Sequence, residues 1–348
     1  MFRRILRGFG TSVNFEGGST MAKTKKIALS AEEKAAIKEK RWTQIKRDKW
    51  MYLLLLPGFL YFIIFKIVPM WGILIAFKDY GATSKFFGAA FTRDWVGFGN
   101  FKSFFLDSSF LQLLRNTLII SGMNIIFFFP LPIILALLLN EMKVQWYKKV
   151  IQTLVYVPHF VSMVVIASIT FMLVKTPSSP TQSGGALFEI VKGLTGKEMH
   201  ALGGGFAIYW VLLIQNIWKE TGWGTIIFLA ALAGVDVEQY EAAIVDGANR
   251  FQQLIYITLP AILGTIVTLF ILRMGSVLDT GFEQIILMQN TLNREKSETF
   301  DTYVYQYGRV EGNYGYSTAV GLFKSVISII CIQTANRLAK KAGQDGLF

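Results

Sequence analysis

Two runs of polar side chains interrupt otherwise apolar stretches of this 348-residue chain, and each has helical spacing. Asn216, Glu220 and Trp223 fall at i, i+4 and i+7, with Lys219 on the border of the same face. Arg273, Ser276 and Thr280 repeat the pattern further on, with Asp279 beside them. A charge in the middle of a membrane helix costs about 2.5 to 3.5 kcal/mol on insertion scales, so such residues face a cavity or a partner. Two polar stripes with an aromatic ring suit a hydrated solute rich in hydroxyls: hydrogen-bonding groups select it and the ring face stacks on it. A plainer alternative pairs Arg273 with Glu220, or either of them with a companion subunit. Lys66 and Lys324 are expected to snorkel or to line a subunit interface.

No catalytic or metal-binding set accompanies these residues. His159 and His200 have no acids or cysteines at ligand spacing, Ser276 has no G-x-S-x-G setting, and Cys331 is the single cysteine. A phosphate-binding G-x-x-x-x-G-K-[ST] run is missing too: Gly193, Gly196 and Lys197 have the wrong spacing and are followed by Glu198. A membrane-embedded glycan enzyme would have only Glu220 and Asp279 as acids.

The elements that must position the stripes are membrane helices. Hydrophobic residues make up 53% of the chain and charged ones 17%, with 29 Phe, too apolar for an ordinary soluble domain. Six segments reach the roughly 20 residues needed to cross the hydrocarbon: 51–77, 111–140, 151–174, 206–233, 258–278 and 316–338. The expected fold is an all-α six-helix transmembrane bundle, kinked by Pro130, Pro132 and Pro158. An even count puts both termini on one side. Residues 1–50 hold 13 Lys or Arg against 5 Asp or Glu, which predicts that this side is cytoplasmic. The expected divisions are a basic segment at 1–50, a six-span domain at 51–338 and a tail at 339–348. Within the first, Ser30 and Glu33 form a capping box ahead of a basic amphipathic helix suited to anionic lipid. Met21 offers a second translation start, which would make residues 1–20 dispensable.

The loop 236–260 departs from the positive-inside trend, with four acids and only Arg250. Asp236 is a good N-cap, Gln239 would complete a box-like start, and Val237, Tyr240, Ala243, Ile244 and Gly247 make one apolar stripe. A short helix able to dock into a groove is predicted.

The run Tyr240, Glu241, Ala242, Ala243, Ile244, Val245, Asp246, Gly247, Ala248, with Ile257, Thr258, Leu259 and Pro260 after it, resembles the EAA signature of permease subunits in bacterial binding-protein-dependent ABC importers. Further stretches resemble the maltose-type and LplB-like oligosaccharide branch: Lys66 to Pro69 with Ala76 to Tyr80, Gly97 to Phe101, Leu114 to Leu118, and Val155 to Ser162. The resemblance covers about 51–340 and leaves the first 50 residues outside.

It implies a multi-pass protein of the bacterial cell membrane with no nucleic-acid partner. Its partners would be a second homologous permease, an ATPase dimer that binds the ATP and Mg, an extracytoplasmic solute-binding protein, an oligosaccharide and membrane lipids. This chain would bind no cofactor and catalyse no reaction. Tyr240, Glu241, Ala242, Ala243, Ile244, Asp246, Gly247, Ala248 and Pro260 would couple it to the ATPase. Asn216, Lys219, Glu220, Trp223, Arg273, Ser276, Asp279 and Thr280 would line the substrate path. A neutral-sugar permease is expected to use mostly amides, Ser and aromatics, so Lys219 and Arg273 point to an acidic, uronate-type cargo with Arg273 as the carboxylate contact. An ion-driven secondary sugar transporter is the competing class, and it gives no reason for the EAA run.

Overall fold

The computed structural model describes residues 43–44, 46–81, 95–177, 183–196, 198, 200–203, 205–344 and 346–347. The basic helix expected near Ser30 and Glu33 lies outside them. The chain divides into two compact units, Met1–Met70 and Trp71–Phe348.

Helix α1 runs over Lys49–Phe77, and its most apolar stretch buries no residue. Being apolar on every side, it can rest only against lipid or other protein. The second unit is helical among its described residues: α2 (Gly99–Leu106), α3 (Phe110–Glu141), α4 (Gln145–Phe160), α5 (Met163–Val174), α6 (Ala186–Thr195), α7 (Ala207–Leu232), α8 (Val237–Val245), α9 (Arg250–Gly275), α10 (Phe282–Met288), α11 (Arg294–Ser297), α12 (Phe300–Tyr305) and α13 (Tyr314–Lys341). Only two isolated β-bridges form among these residues, Lys78 with Trp95 and Gly81 with Asn313.

Four helices, α1, α3, α9 and α13, are long and apolar enough to cross a membrane unbroken. Six crossings result if the bent pairs α4–α5 and α7–α8 each count as one. In the predicted span 151–174 the kink expected at Pro158 is a full break: the chain turns by 100° between α4 and α5. Pro158 sits in a tight turn at Val157–Phe160, and Ser162 starts α5 afresh by accepting a hydrogen bond from the Val165 amide.

Elsewhere proline is absorbed without a break. Wide turns at Ile63–Ile67, Asn124–Phe128 and Leu254–Thr258 lie just ahead of Pro69, Pro130 and Pro260. A proline ring clashes with the carbonyl four residues back, and one extra residue in the turn moves that carbonyl aside. Pro260 thus stands at the start of the regular stretch Leu259–Gly275, while the helix α9 runs back through the wide turn to Arg250.

Packing centres on α7. Ile208 and Leu212 meet Ile120, Ala167 and Ile285 in one apolar cluster, while Phe228 and Leu232 meet Ala136 and Ile262 in another. A third cluster, around Phe104, Phe300 and Tyr316, joins α2, α12 and α13.

Candidate functional site

The close approach of α7 to α4 depends on Gly222. A Cβ there would lie 1.9 Å from the Val155 carbonyl oxygen, so no larger residue fits without separating the two backbones. The approach sets Lys219, Glu220 and Trp223 against the break between α4 and α5. The Lys219 ammonium donates to the carbonyls of His159 and Val161, both at 2.7 Å. Such carbonyls at a helix end have no amide four residues on to satisfy them. Glu220 Oε2 lies 2.8 Å from His159 Nδ1, and the imidazole stacks on the Trp223 indole at 4.3 Å with planes 5° apart. Asn216 donates to Asn124 Oδ1 at 2.6 Å. His159 and Asn124 were not among the predicted site residues, because their partners lie 61 and 92 positions away.

The second stripe is arranged differently. Asp279 pairs with Lys324 at 2.5 Å, and Lys324 also reaches Asp301. Lys324 therefore holds two carboxylates within its own chain, which corrects the expectation of a snorkelling or interface lysine. Thr280 is buried, its hydroxyl 3.1 Å from that of Thr299 and its amide donating to Asp301 at 3.3 Å. Ser276 donates back to the Arg273 carbonyl at 3.3 Å. Gly275, Asp279, Asp301, Lys324, Ser325 and Ser328 border a cavity of about 410 Å³. The Arg273 guanidinium, half-buried, forms no hydrogen bond or close ion pair among the described residues, but it lies within the field of the Asp279 carboxylate. The Arg273–Glu220 pair weighed from sequence does not form, and no direct bond joins the two stripes among the described residues.

At the other end of α9, α8 buries none of its nine residues. Asp236 caps it by accepting from the Glu238 amide at 3.0 Å, with no reciprocal bond from Gln239. The full capping box lies instead at Asn249 and Gln252, where α9 begins. Gly247 takes φ +81°, the left-handed turn that glycine adopts freely, and the Ala248 amide closes onto the Ala243 carbonyl at 2.8 Å. Tyr240 bonds Thr258 at 2.9 Å and Arg250 pairs with Glu141 at 2.8 Å. The predicted apolar stripe is thereby divided: Tyr240 and Ala243 are half-buried against their own chain, while Val237, Ile244 and Gly247 are exposed, as is Val245 outside the stripe, to 87%. Glu241, Ala242 and Asp246 share the exposed side.

Two other stretches quoted for their family resemblance act as fasteners. Asn116 is fully buried, donates to the carbonyls of Glu295 and Glu298, and accepts from the Tyr209 hydroxyl at 2.9 Å. Asn100 donates to the carbonyls of Ala76 and Lys78.

Residues 129–343 match the family of binding-protein-dependent transport system inner membrane components. The chain belongs to that family. This permease is 55% identical to Protein LplB of Bacillus subtilis (strain 168) over 304 residues, 87% of this chain and 92% of the relative. It is 45% identical to the polygalacturonan/rhamnogalacturonan transport system permease protein YteP of the same organism, over 89% of this chain and 95% of the relative. Among solved structures, a chain of a bacterial alginate ABC transporter in complex with an alginate pentasaccharide-bound periplasmic protein superposes with a TM-score of 0.78 at 34% identity, covering 88% of this chain and 99% of the other. The permease is a membrane-embedded subunit of an ABC oligosaccharide importer that works with a solute-binding protein, and ATP hydrolysis belongs to a separate subunit.

Proposed function

We propose that this permease passes an acidic oligosaccharide into the cytoplasm and that α8 couples it to the ATPase by seating in a groove on that subunit. The observation that carries the coupling is α8 itself: a nine-residue helix with no buried residue, capped at both ends, with Val237, Ile244 and Val245 facing outward. A short helix keeps such a face in place when a partner covers it. Tyr240 on Thr258 ties the helix to α9, and Arg250 at the start of α9 pairs with Glu141 of α3, so a push on α8 reaches α9 directly and α3 through it. ATP and Mg²⁺ would be held by the ATPase, and a second, homologous permease would complete the pathway. The basic N-terminal half-hundred residues favour cytoplasmic termini and so put α8 on the ATPase side.

For the cargo, Arg273 is the informative residue. Lys219 and Lys324 are held by groups of their own chain, whereas the Arg273 guanidinium, in the field of Asp279, makes no hydrogen bond among the described residues, and its planar fork suits a carboxylate bound through two hydrogen bonds. Asn216, Glu220, Trp223, Ser276, Asp279 and Thr280 would shape the path around it. The relatives support the choice: one is named for polygalacturonan and rhamnogalacturonan transport, and a second alginate structure, at TM-score 0.76, is described as importing an acidic polysaccharide.

Uptake by the assembled transporter in vesicles, with uronate and neutral oligosaccharides of equal length, tests both parts. Uronates should be preferred, Arg273→Gln should abolish the preference, and uptake should stop when the ATPase is left out. Uptake without the ATPase would instead fit an ion-driven carrier and end the proposal.

A further inference from the structure

Helix α9 is 26 residues long, roughly 39 Å at 1.5 Å per residue, and carries α8 at one end and a second polar region at the other. Beyond its C-terminal end lies a cleft of about 410 Å³, lined among the described residues by Phe282, Asp301, Tyr305, Arg309, Tyr314 and Ser317. It is a shallow groove, largely open to its surroundings. The cleft adjoins the cavity at Asp279 and Lys324, and both are bordered by Asp301 and Val304.

Its chemistry differs from that of its neighbour. In the deeper cavity Lys324 is consumed by Asp279 and Asp301. In the cleft Arg309 is exposed and makes no hydrogen bond or ion pair among the described residues. Glu311, two residues on, is engaged by the Gln306 amide group at 3.3 Å. The rings of Phe282 and Tyr305 pack at 5.0 Å and make one wall apolar. An open guanidinium beside a rigid aromatic wall is complementary to a ring that has one apolar face and one carboxylate at its edge.

We propose that this cleft is a receiving subsite for one uronate residue of the cargo, with Arg309 pairing the carboxylate and Tyr305 and Phe282 presenting ring surface. The subsite rests on the reading that the cargo is acidic. It adds a carboxylate contact separate from Arg273.

The test uses the transporter assembled with its partner subunits and binding protein in vesicles. The probes are tri-galacturonate and tri-mannuronate, each compared with its methyl ester. Arg309→Gln should raise the half-saturating concentration of the preferred uronate about tenfold, the lower bound for losing a charged hydrogen bond, and leave its ester unchanged. Arg309→Lys should fall between, and the melting temperature should not move because Arg309 is exposed. If wild type distinguishes acid from ester and Arg309→Gln does so equally well, the subsite is wrong while the acidic-cargo reading stands. If wild type does not distinguish them, both are wrong.

Discussion

The imidazole of His159 lies flat on the indole of Trp223, 4.3 Å away, while its Nδ1 meets Glu220 Oε2 at 2.8 Å. One residue of the broken helix pair α4–α5 is thus gripped on its face and its edge by adjacent turns of α7. Lys219 completes the grip by satisfying the carbonyls of His159 and Val161. The bend of 100° is consequently built from α7 as much as from Pro158.

Replacing Lys219 with Met keeps the length of the side chain but removes both donors. Two carbonyls are then left unpaired, and the expected loss is about 1 to 3 kcal/mol of stability. Thermal unfolding of the purified protein should show it, and Lys219→Arg should recover part of the loss.

Gly222→Ala should be costly for a different reason. The added methyl meets the backbone oxygen of Val155, which cannot rotate away, so α7 and α4 must separate at a cost of about 1 to 3 kcal/mol. Gly264→Ala serves as the control, since nothing lies within 4 Å of its Cβ position and alanine is the better helix former. A Gly222→Ala protein as stable as the control would show that the helices do not touch there.

Asp107 makes the fold acid-sensitive at the far end of α2. Burial pushes its carboxyl up, but hydrogen bonds from Tyr303, from Ser109 and from Tyr316 outweigh burial and hold it below the usual 3.8. A lowered carboxyl contributes stability that is complete above that value and lost as pH falls through the folded-state value. Hydrogen-exchange protection of the α2 and α12 amides, relative to the unfolded chain at the same pH, should therefore fall below about pH 4 in wild type, and Asp107→Asn should flatten that dependence. Unaltered acid sensitivity in Asp107→Asn would assign the effect elsewhere.

The crossings at 51–77, 111–140, 258–278 and 316–338 could be read in sequence because each is a long apolar run, and length with apolarity is what a bilayer requires. The break in 151–174 could not, since Pro158 signals a kink but not its size, which depends on Lys219 and Gly222 some 60 positions away. The polar stripes were visible as charges out of place in apolar helices. Their partners were hidden: His159 for Glu220 and Lys324 for Asp279 come from other helices. Helical periodicity showed α8 as amphipathic, but only tertiary contacts reveal that Tyr240 is the anchored side and Val245 the free one.

The most direct test of the coupling role is ATP-driven uptake by the assembled transporter carrying Val245→Asp. At 87% exposure, Val245 can take a charge without unfolding the chain, so the melting temperature should stay within about 1 °C, as for most surface changes. Burying that new carboxylate in the ATPase groove is strongly unfavourable, and uptake should fall at least roughly tenfold. Uptake at the wild-type rate, with the ATPase still required, would show that α8 is not the surface through which the ATPase drives this permease.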